Sequence, residues 1–393
     1  MDEAVVVGAV RTPIGRRNGM LKDWHPVDLL AFTLQALVER TAIDPTEVDD
    51  VIAGCVSQTG EQAANIARNA WLAGGLPISV PGTTVDRQCG SSQQALHFAA
   101  QSVISGACDM VVACGIESMT RIPMGVTIEN GPGVPFNGQL HSRFDLVSQG
   151  TAAELIAERW NLSRRELDEI GLRSHELALQ ATKEGRFESE IVSTAPRLES
   201  DDPATLRTMD EGMRETSLEV MAGLPAAFQV EGRITAGNSS QIADGAAAVL
   251  IASRQKAQSL NLTSMASFHS FAVTGDDPVM MLTAPIEATK RVLHRGGLAM
   301  ADIGVVEINE AFACVVAAWQ RELGLPHDEI IDPGAQRVNP NGGAISLGHP
   351  LGASGVRLMT TMLHEMERRD LRYGLQTMCE GGGLANALIM ERV

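Results

Sequence analysis

The 393-residue chain reads as one arrangement written twice. In the first half a helical stretch from Val27 to Thr41 leads into a short apolar strand pattern, Glu47-Val-Asp-Asp-Val-Ile-Ala-Gly. In the second half a helical stretch from Pro285 to His294 leads into Asp302-Ile-Gly-Val-Val-Glu-Ile-Asn. Each half then has a sharp turn and a helix, Cys89 to Ser105 and Gly352 to Arg368. An apolar strand follows each, Met110-Val-Val-Ala-Cys-Gly and Leu375-Gln-Thr-Met-Cys-Glu-Gly. An offset of roughly 260 residues is too long for a solenoid repeat and fits two homologous α/β domains. In this register Cys114 stands opposite Cys379.

Residues 119–240 have a different texture, rich in Met, Gly, Pro and charge, before a buried pattern resumes at Asp244-Gly-Ala-Ala-Ala-Val-Leu-Ile. The expected division is an N-terminal half (1–118 plus 241–267), an inserted segment (119–240) and a C-terminal half (268–393). The insertion carries one strong helix signal: Ser163 with Glu166 is a capping-box signature ahead of Leu167, Ile170, Leu172 and Leu177. Insertions of this length in α/β domains form lids or substrate-binding subdomains.

Charge narrows the partners. With 48 acidic and 31 basic residues, the net charge of −17 argues against nucleic acid or an anionic membrane. An anionic small ligand is still compatible, since helix N-termini and local basic groups hold one. The six cysteines (55, 89, 108, 114, 314 and 379) are scattered without metal-ligand spacing, so no metal site is expected. No signal-peptide layout and no membrane-length apolar run are visible, and a reducing, cytoplasmic compartment is the expectation.

Four local patterns carry chemistry. Cys89 falls where an extended, β-branched run gives way to helical spacing (Ala95, Leu96, Ala99, Val103). The free N–H groups and positive dipole end of a helix start favour a thiolate there, although a lone cysteine is more often a buried small apolar residue. His349 is set between Gly348 and Pro350 in a run with five glycines, Asn339 to Arg357. Such glycines let backbone approach a ligand or another loop, and the Lys-[Ser/Thr] of a phosphate loop is absent. Cys379 ends an apolar strand and enters Gly381-Gly-Gly, a setting suited to proton transfer beside an oxyanion. Asn309 and Glu310 end another buried strand, where helix capping is the competing reading.

Together these patterns resemble the thiolases, the coenzyme-A-dependent acyltransferases that make or cleave 3-ketoacyl-CoA. The resemblance runs from Val10-Arg-Thr-Pro-Ile-Gly to the final Cys-Glu-Gly-Gly-Gly and includes Gly115-Ile-Glu-Ser-Met, Arg173-Ser-His and Ile234-Thr-Ala-Gly-Asn-Ser-Ser. It implies duplicated α/β domains layered helix-sheet-helix-sheet-helix, with an inserted loop domain. It also implies Cys89 as nucleophile, His349 as its base and Cys379 as the acid/base at the substrate α-carbon. Two oxyanion holes follow from the resemblance, one from His349 and a water held by Asn309, the other from the backbone N–H groups of Cys89 and Gly381. The inserted domain resembles a CoA-binding unit, with Ser240 at the pantetheine arm, Phe228 and Phe312 as apolar walls and Arg214 at the nucleotide end. CoA and acyl-CoA are then substrates, no cofactor is held permanently, and a homodimer or homotetramer is expected. A biosynthetic acetoacetyl-CoA thiolase is the alternative within the family; a ketosynthase-type condensing enzyme is the runner-up within the fold, and Cys379 in its triple-glycine turn discriminates against it.

Several positions depart from the family pattern: Asp86 for a usual Asn, Ser92 for Gly, Gln149 in a segment usually starting with Met, Gln241 for Gly, and Glu380 for an apolar residue. These departures are expected around the acyl pocket, and they favour a degradative member, with bulky acyl groups as one reading.

Overall fold

The computed structural model describes residues 3–129, 131–195 and 206–393, so positions 130 and 196–205 of the inserted segment lie outside the described residues. The strands are β1 (Ala4–Arg11), β2 (Gly15–Arg16), β3 (Asp50–Gly54), β4 (Gly82–Val85), β5 (Met110–Ser118), β6 (Ala243–Ser253), β7 (Ala266–Gly275), β8 (Val305–Ile308), β9 (Tyr373–Glu380) and β10 (Leu384–Arg392). They hydrogen-bond in the order β4-β3-β5-β6-β1-β7-β10-β9-β8, with β2 on β6. Only two residue pairs, Val5 with Ser267 and Val6 with Ala266, join the halves across β1 and β7.

Each half repeats one pairing scheme. In the first, β3 runs parallel to β4 and β5, and β5 and β1 lie antiparallel to β6. In the second, β8 runs parallel to β9, β9 and β7 lie antiparallel to β10, and a parallel bridge from Val306 to Val338 takes the place of β4.

Two helices fill the space between the halves: α3 (Ser91–Ile104) and the Ser354–Arg368 helix. Ala95, Leu96, Ala99 and Val103 of the first and Val356, Met359, Met362 and Met366 of the second share one core. That core also takes Val111, Val249 and Ile251 from one sheet half and Phe268, Leu388 and Met390 from the other. Outside the first half lie α1 (Pro26–Thr41) and α2 (Ile66–Ala73). Outside the second lie the Ala284–Gly296 and Ala313–Glu322 helices. The result is the expected helix-sheet-helix-sheet-helix layering, with both central helices buried on nearly every side even though each carries several polar residues.

The central helices meet at their N-termini. A β-carbon added to Gly355 would overlap the Gln93 backbone nitrogen, so the two backbones touch there. Ser92 Oγ accepts the Val356 N–H at 3.1 Å and satisfies one free amide of the partner helix. This corrects the expectation for Ser92, which faces the helix junction rather than the acyl pocket.

The repeat register also needs correction. Left-handed helix ends at Ala42 and Gly297 precede matching 3-10 turns, Pro45–Glu47 and Met300–Asp302, which align Ala53 with Ile308. Ala53 pairs with Cys114, and Ile308 pairs with Thr377. Thr377 therefore occupies the place of Cys114, while Cys379 matches Ile116 and Glu380 matches Glu117. The two-residue slip keeps every side chain on its face, which is why the sequence pattern conceals it.

In the insertion, Ser163 caps the Arg164–Lys183 helix, its Oγ accepting the Glu166 N–H at 3.2 Å, while the Glu166 carboxylate accepts from Arg321 Nη2 at 2.6 Å, so only the Ser163 half of the expected capping box forms. A second helix, Gln149–Arg159, precedes it and buries Ala152, Ala153, Ile156 and Ala157.

Candidate active site

Cys89 lies between β4 and α3, one residue before the N-cap Gly90. Gln88 takes φ 48°, a left-handed conformation rare for a non-glycine residue. Three contacts hold it: Asp86 Oδ1 accepts the Gln88 N–H at 2.7 Å, Ser91 Oγ accepts the Arg87 N–H at 3.0 Å, and Ser91 Oγ donates to Gln88 O at 2.6 Å. Asp86 is thus the brace of this elbow. Cys89 as a residue is half-buried. Its own backbone N–H and that of Gly381 both favour the thiolate, but burial and the Glu380 carboxyl outweigh them and push the thiol up to about 12. At rest Cys89 is a thiol that needs a base.

His349 is positioned from three sides. Its N–H bonds Gln241 O at 2.9 Å, after Gly348 at φ 109°. Its Nδ1 lies 2.6 Å from Ser354 Oγ, which donates to Pro350 O at 2.9 Å. The hydroxyl has one proton and gives it to Pro350, so it accepts from Nδ1–H, and Nε2 carries the lone pair. Burial, then the Arg357 charge, hold the ring down at about 3, so it is neutral at physiological pH. Asn309 Nδ2 reaches His349 Nε2 directly at 3.3 Å, and Asn309 Oδ1 has no partner among the described residues.

Asn309 extends the parallel ladder beyond β8. Its N–H bonds Thr377 O at 3.1 Å, two residues from Cys379. Cys379 is buried at the end of β9, and burial followed by the charge of nearby Cys89 raises its thiol well above the usual range. Its strand turns through Gly382 and Gly383 at φ 86° and 78°, and the bare Gly381 leaves its N–H open toward Cys89. The two cysteines, one from each half of the repeat, are thus close enough for each charge to act on the other, while Asn309 joins the β9 strand of Cys379 to His349.

Glu310 does not cap a helix. Its carboxylate accepts from Ser174 Oγ at 2.7 Å, Asn339 Nδ2 at 3.0 Å and the Ile345 N–H at 3.2 Å, tying the insertion to the His349 loop.

The four residues expected to meet CoA group around residues 239–241. Ser240 N–H bonds Ala311 O at 3.0 Å, and Ser239 bridges to Phe312. Phe312 is buried, and half-exposed Phe228 packs edge-on against it at 6.0 Å. Arg214 is exposed, with Nη2 donating to Gln241 Oε1 at 3.2 Å. Gln241 Nε2 in turn donates to the carbonyls of Gly212, Ile345 and Ser346 at 2.9, 2.8 and 3.1 Å. Gln241, seen in the sequence only as a departure, therefore anchors the His349 loop.

Sequence reasoning missed Ser354, whose only signal is its place five residues after His349, and Glu117. Glu117 is fully buried and accepts from Val56 N, Ser57 N, Gln62 Nε2 and Gly352 N at 2.9, 3.1, 2.8 and 2.9 Å. Among the described residues no group of three or more His, Cys, Asp or Glu could hold a metal ion, and no helix is long and apolar enough to cross a membrane.

Comparison with known proteins agrees with this fold. Residues 4–255 match the family model "Thiolase, N-terminal domain", and residues 262–392 match "Thiolase, C-terminal domain". A steroid 3-ketoacyl-CoA thiolase of Mycobacterium tuberculosis is 51% identical, covering 100% of this chain and 95% of that protein. A 3-ketoacyl-CoA thiolase of Pectobacterium carotovorum is 43% identical over the full length of both. The crystal structure of the Bacillus anthracis acetyl-CoA acetyltransferase superposes with TM-score 0.89 at 35% identity, covering 100% of this chain and 99% of that one.

Proposed function

The chain belongs to the thiolase family and is an acyltransferase working reversibly on 3-ketoacyl-CoA, in the degradative direction, and we propose that it does so through an acyl group carried on Cys89. In the first half-reaction His349 Nε2 takes the Cys89 proton, and the thiolate attacks the 3-keto carbon. The bond between C2 and C3 breaks, and Cys379 gives its proton to the departing enolate, releasing acetyl-CoA and leaving acyl-Cys89. In the second, the Cys379 thiolate takes the proton of incoming CoA. CoA attacks the acyl carbonyl, and Cys89 leaves and recovers its proton from His349. Every group returns to its starting state.

The observation that carries this reading is the meeting of Cys89, the Gly381 N–H and Cys379. The N–H groups of Cys89 and Gly381 converge where a thioester oxygen on Cys89 gains charge. Protonated His349 and a water held by Asn309 supply the second pair of donors, for the enolate oxygen. Ser240, Phe228 and Phe312 form the wall along which the pantetheine arm runs, and Arg214 lies outward for the nucleotide. The inserted segment, 119–240, thus serves as the CoA-binding part between two thiolase halves, with no permanently bound cofactor.

A bulky, ring-containing acyl group is the substrate favoured by the 51% identity to a steroid 3-ketoacyl-CoA thiolase. A cytoplasmic homodimer or homotetramer is the proposed state; the edge strand β4 and the exposed Ile78 and Leu72 nearby offer the surface. The test is CoA-dependent cleavage of short, long and polycyclic 3-ketoacyl-CoA thioesters by the wild type and by Cys89→Ala and Cys379→Ala. Cys89→Ala should be inactive. Cys379→Ala should accept an acyl group yet fail to exchange the α-protons of acetyl-CoA. Turnover by Cys89→Ala would overturn the nucleophile assignment.

A further inference from the structure

Side chains along β9 alternate between two environments. Cys379 joins the core of the C-terminal half. Glu380 points the other way, against the start of α3. A β-carbon added to Gly90 would overlap the Glu380 carboxyl, so that carboxyl lies on the bare face of the residue following Cys89. Glu380 is fully buried, and neither oxygen has a hydrogen-bond partner among the described residues. Its counterpart Glu117, at the same depth in the other half, has four N–H donors. The same place in the repeat thus holds one fully partnered carboxylate and one with none, and the second faces the chemistry. A purely structural buried carboxylate is expected to look like Glu117.

The groups around it come from every element packed there. The elbow before α3 brings Arg87, whose Nε is also buried without a partner, and Cys89. β9 itself brings Cys379, and β5 brings Glu117 toward Cys89. α3 brings His97, held neutral at about 3 by burial and then by Arg87. β10 brings Asn386, whose Nδ2 meets Gln94 Oε1 at 3.1 Å and His97 Nδ1 at 3.2 Å. Burial raises the Glu380 carboxyl well above the usual carboxylate range, with Arg87 and then the Asn386 backbone N–H, which lies nearby without reaching hydrogen-bond geometry, opposing.

We propose that Glu380 is a positioning residue for the two-cysteine chemistry: on rising pH it ionises before either sulfur, and its charge then keeps Cys89 and Cys379 as thiols in the resting site. A carboxyl is a far stronger acid than a thiol, so the order holds even with both buried. Like charges this close resist joint ionisation, and the titration belongs to the cluster rather than to one group. Both directions of the reaction start from the same resting site with both sulfurs protonated: Cys379 gives its proton to the enolate in cleavage and to the departing CoA in synthesis. Glu380 therefore keeps the resting site in its working protonation state, and Cys89 loses its proton only to His349 with substrate bound.

This inference rests on the Cys89 and Cys379 roles proposed above, and one experiment separates the two. The pH dependence of Cys89 alkylation by iodoacetamide and of acetyl-CoA α-proton exchange in D2O is measured for wild type, Glu380→Gln, Glu380→Asp and Cys379→Ala. Glu380→Gln should move the alkaline limb of both profiles down by about one unit, making alkylation on that limb about tenfold faster. Glu380→Asp, which keeps the charge, should stay with the wild type. Coincident limbs for wild type and Glu380→Gln, or Glu380→Asp moving with Glu380→Gln, would overturn the proposal. Should Glu380→Gln fail to fold, the wild-type limb decides: it should lie above the ordinary thiol value of about 8.5, and a limb at or below it refutes the proposal. Normal exchange by Cys379→Ala would instead remove the reading on which the proposal rests.

Discussion

Ser354 is the residue through which His349 is held as a base, and Ser354→Ala tests that role. Its hydroxyl is fully buried and makes two contacts, accepting from His349 Nδ1 at 2.6 Å and donating to Pro350 O at 2.9 Å. Truncation leaves a buried N–H without a partner, which costs about 1–3 kcal/mol of stability. The catalytic cost has a separate origin. When His349 takes the Cys89 proton it becomes an imidazolium, and the Nδ1–H contact becomes charge-assisted, worth about 1.5–3 kcal/mol. Losing it at the transition state slows the first half-reaction about 10- to 150-fold, at 1.36 kcal/mol per factor of ten. The assay is thiolysis of a 3-ketoacyl-CoA followed at the loss of its enolate absorbance, with urea unfolding of the same samples. kcat should fall with KM little changed, and Ser354→Thr should restore most of it. Unchanged kcat in a folded Ser354→Ala protein would refute the tautomer and the role of Nε2.

Two further outcomes follow from the geometry. Gly355→Ala places a β-carbon into the Gln93 backbone, 2.8 Å from its Cα, where no flexible side chain can yield. Overpacking of about 1–3 kcal/mol should outweigh the roughly 1 kcal/mol gained in helix propensity, and an unchanged urea midpoint would contradict the close approach of the central helices. His349 stands at about 3 in the fold against an unfolded value of 6.5, so between those values the unfolded chain binds more protons and its native-state stability is lost as pH falls. The base therefore stays free below pH 6.5, and an acid limb of kcat/KM at about 6.5 would show that His349 titrates normally.

The parts of this protein legible in its sequence are those encoded locally. The elbow at Cys89 shows because β-branched extended residues and helical spacing abut within a few positions. The Cys379 turn shows because three successive glycines have no other use at the end of an apolar strand. The N-cap bond from the Glu166 N–H to Ser163 is likewise encoded within four residues, whereas the Glu166 carboxylate goes to distant Arg321. What stayed hidden depends on distant partners. Glu117 and Glu380 look alike in the sequence, and only the fold reveals that one collects N–H groups from three separate segments and the other none. Ser92 was read by its neighbour Cys89, yet its partner is Val356 on the other central helix. The helix Gln149–Arg159 escaped notice because its buried stripe is largely alanine, which gives weak contrast in hydrophobic periodicity. The repeat itself was visible, but its exact register was not, because strands conceal a slip of two.

The most direct test of the account is mass spectrometry of the enzyme quenched during turnover of a 3-ketoacyl-CoA, with CoA omitted so that the second half-reaction cannot proceed. The account predicts an added acyl mass, shortened by the two carbons of the acetyl unit, on the peptide carrying Cys89 and absent from Cys89→Ala. An unmodified Cys89 peptide with acetyl-CoA released, or the acyl mass found on Cys379, would contradict it.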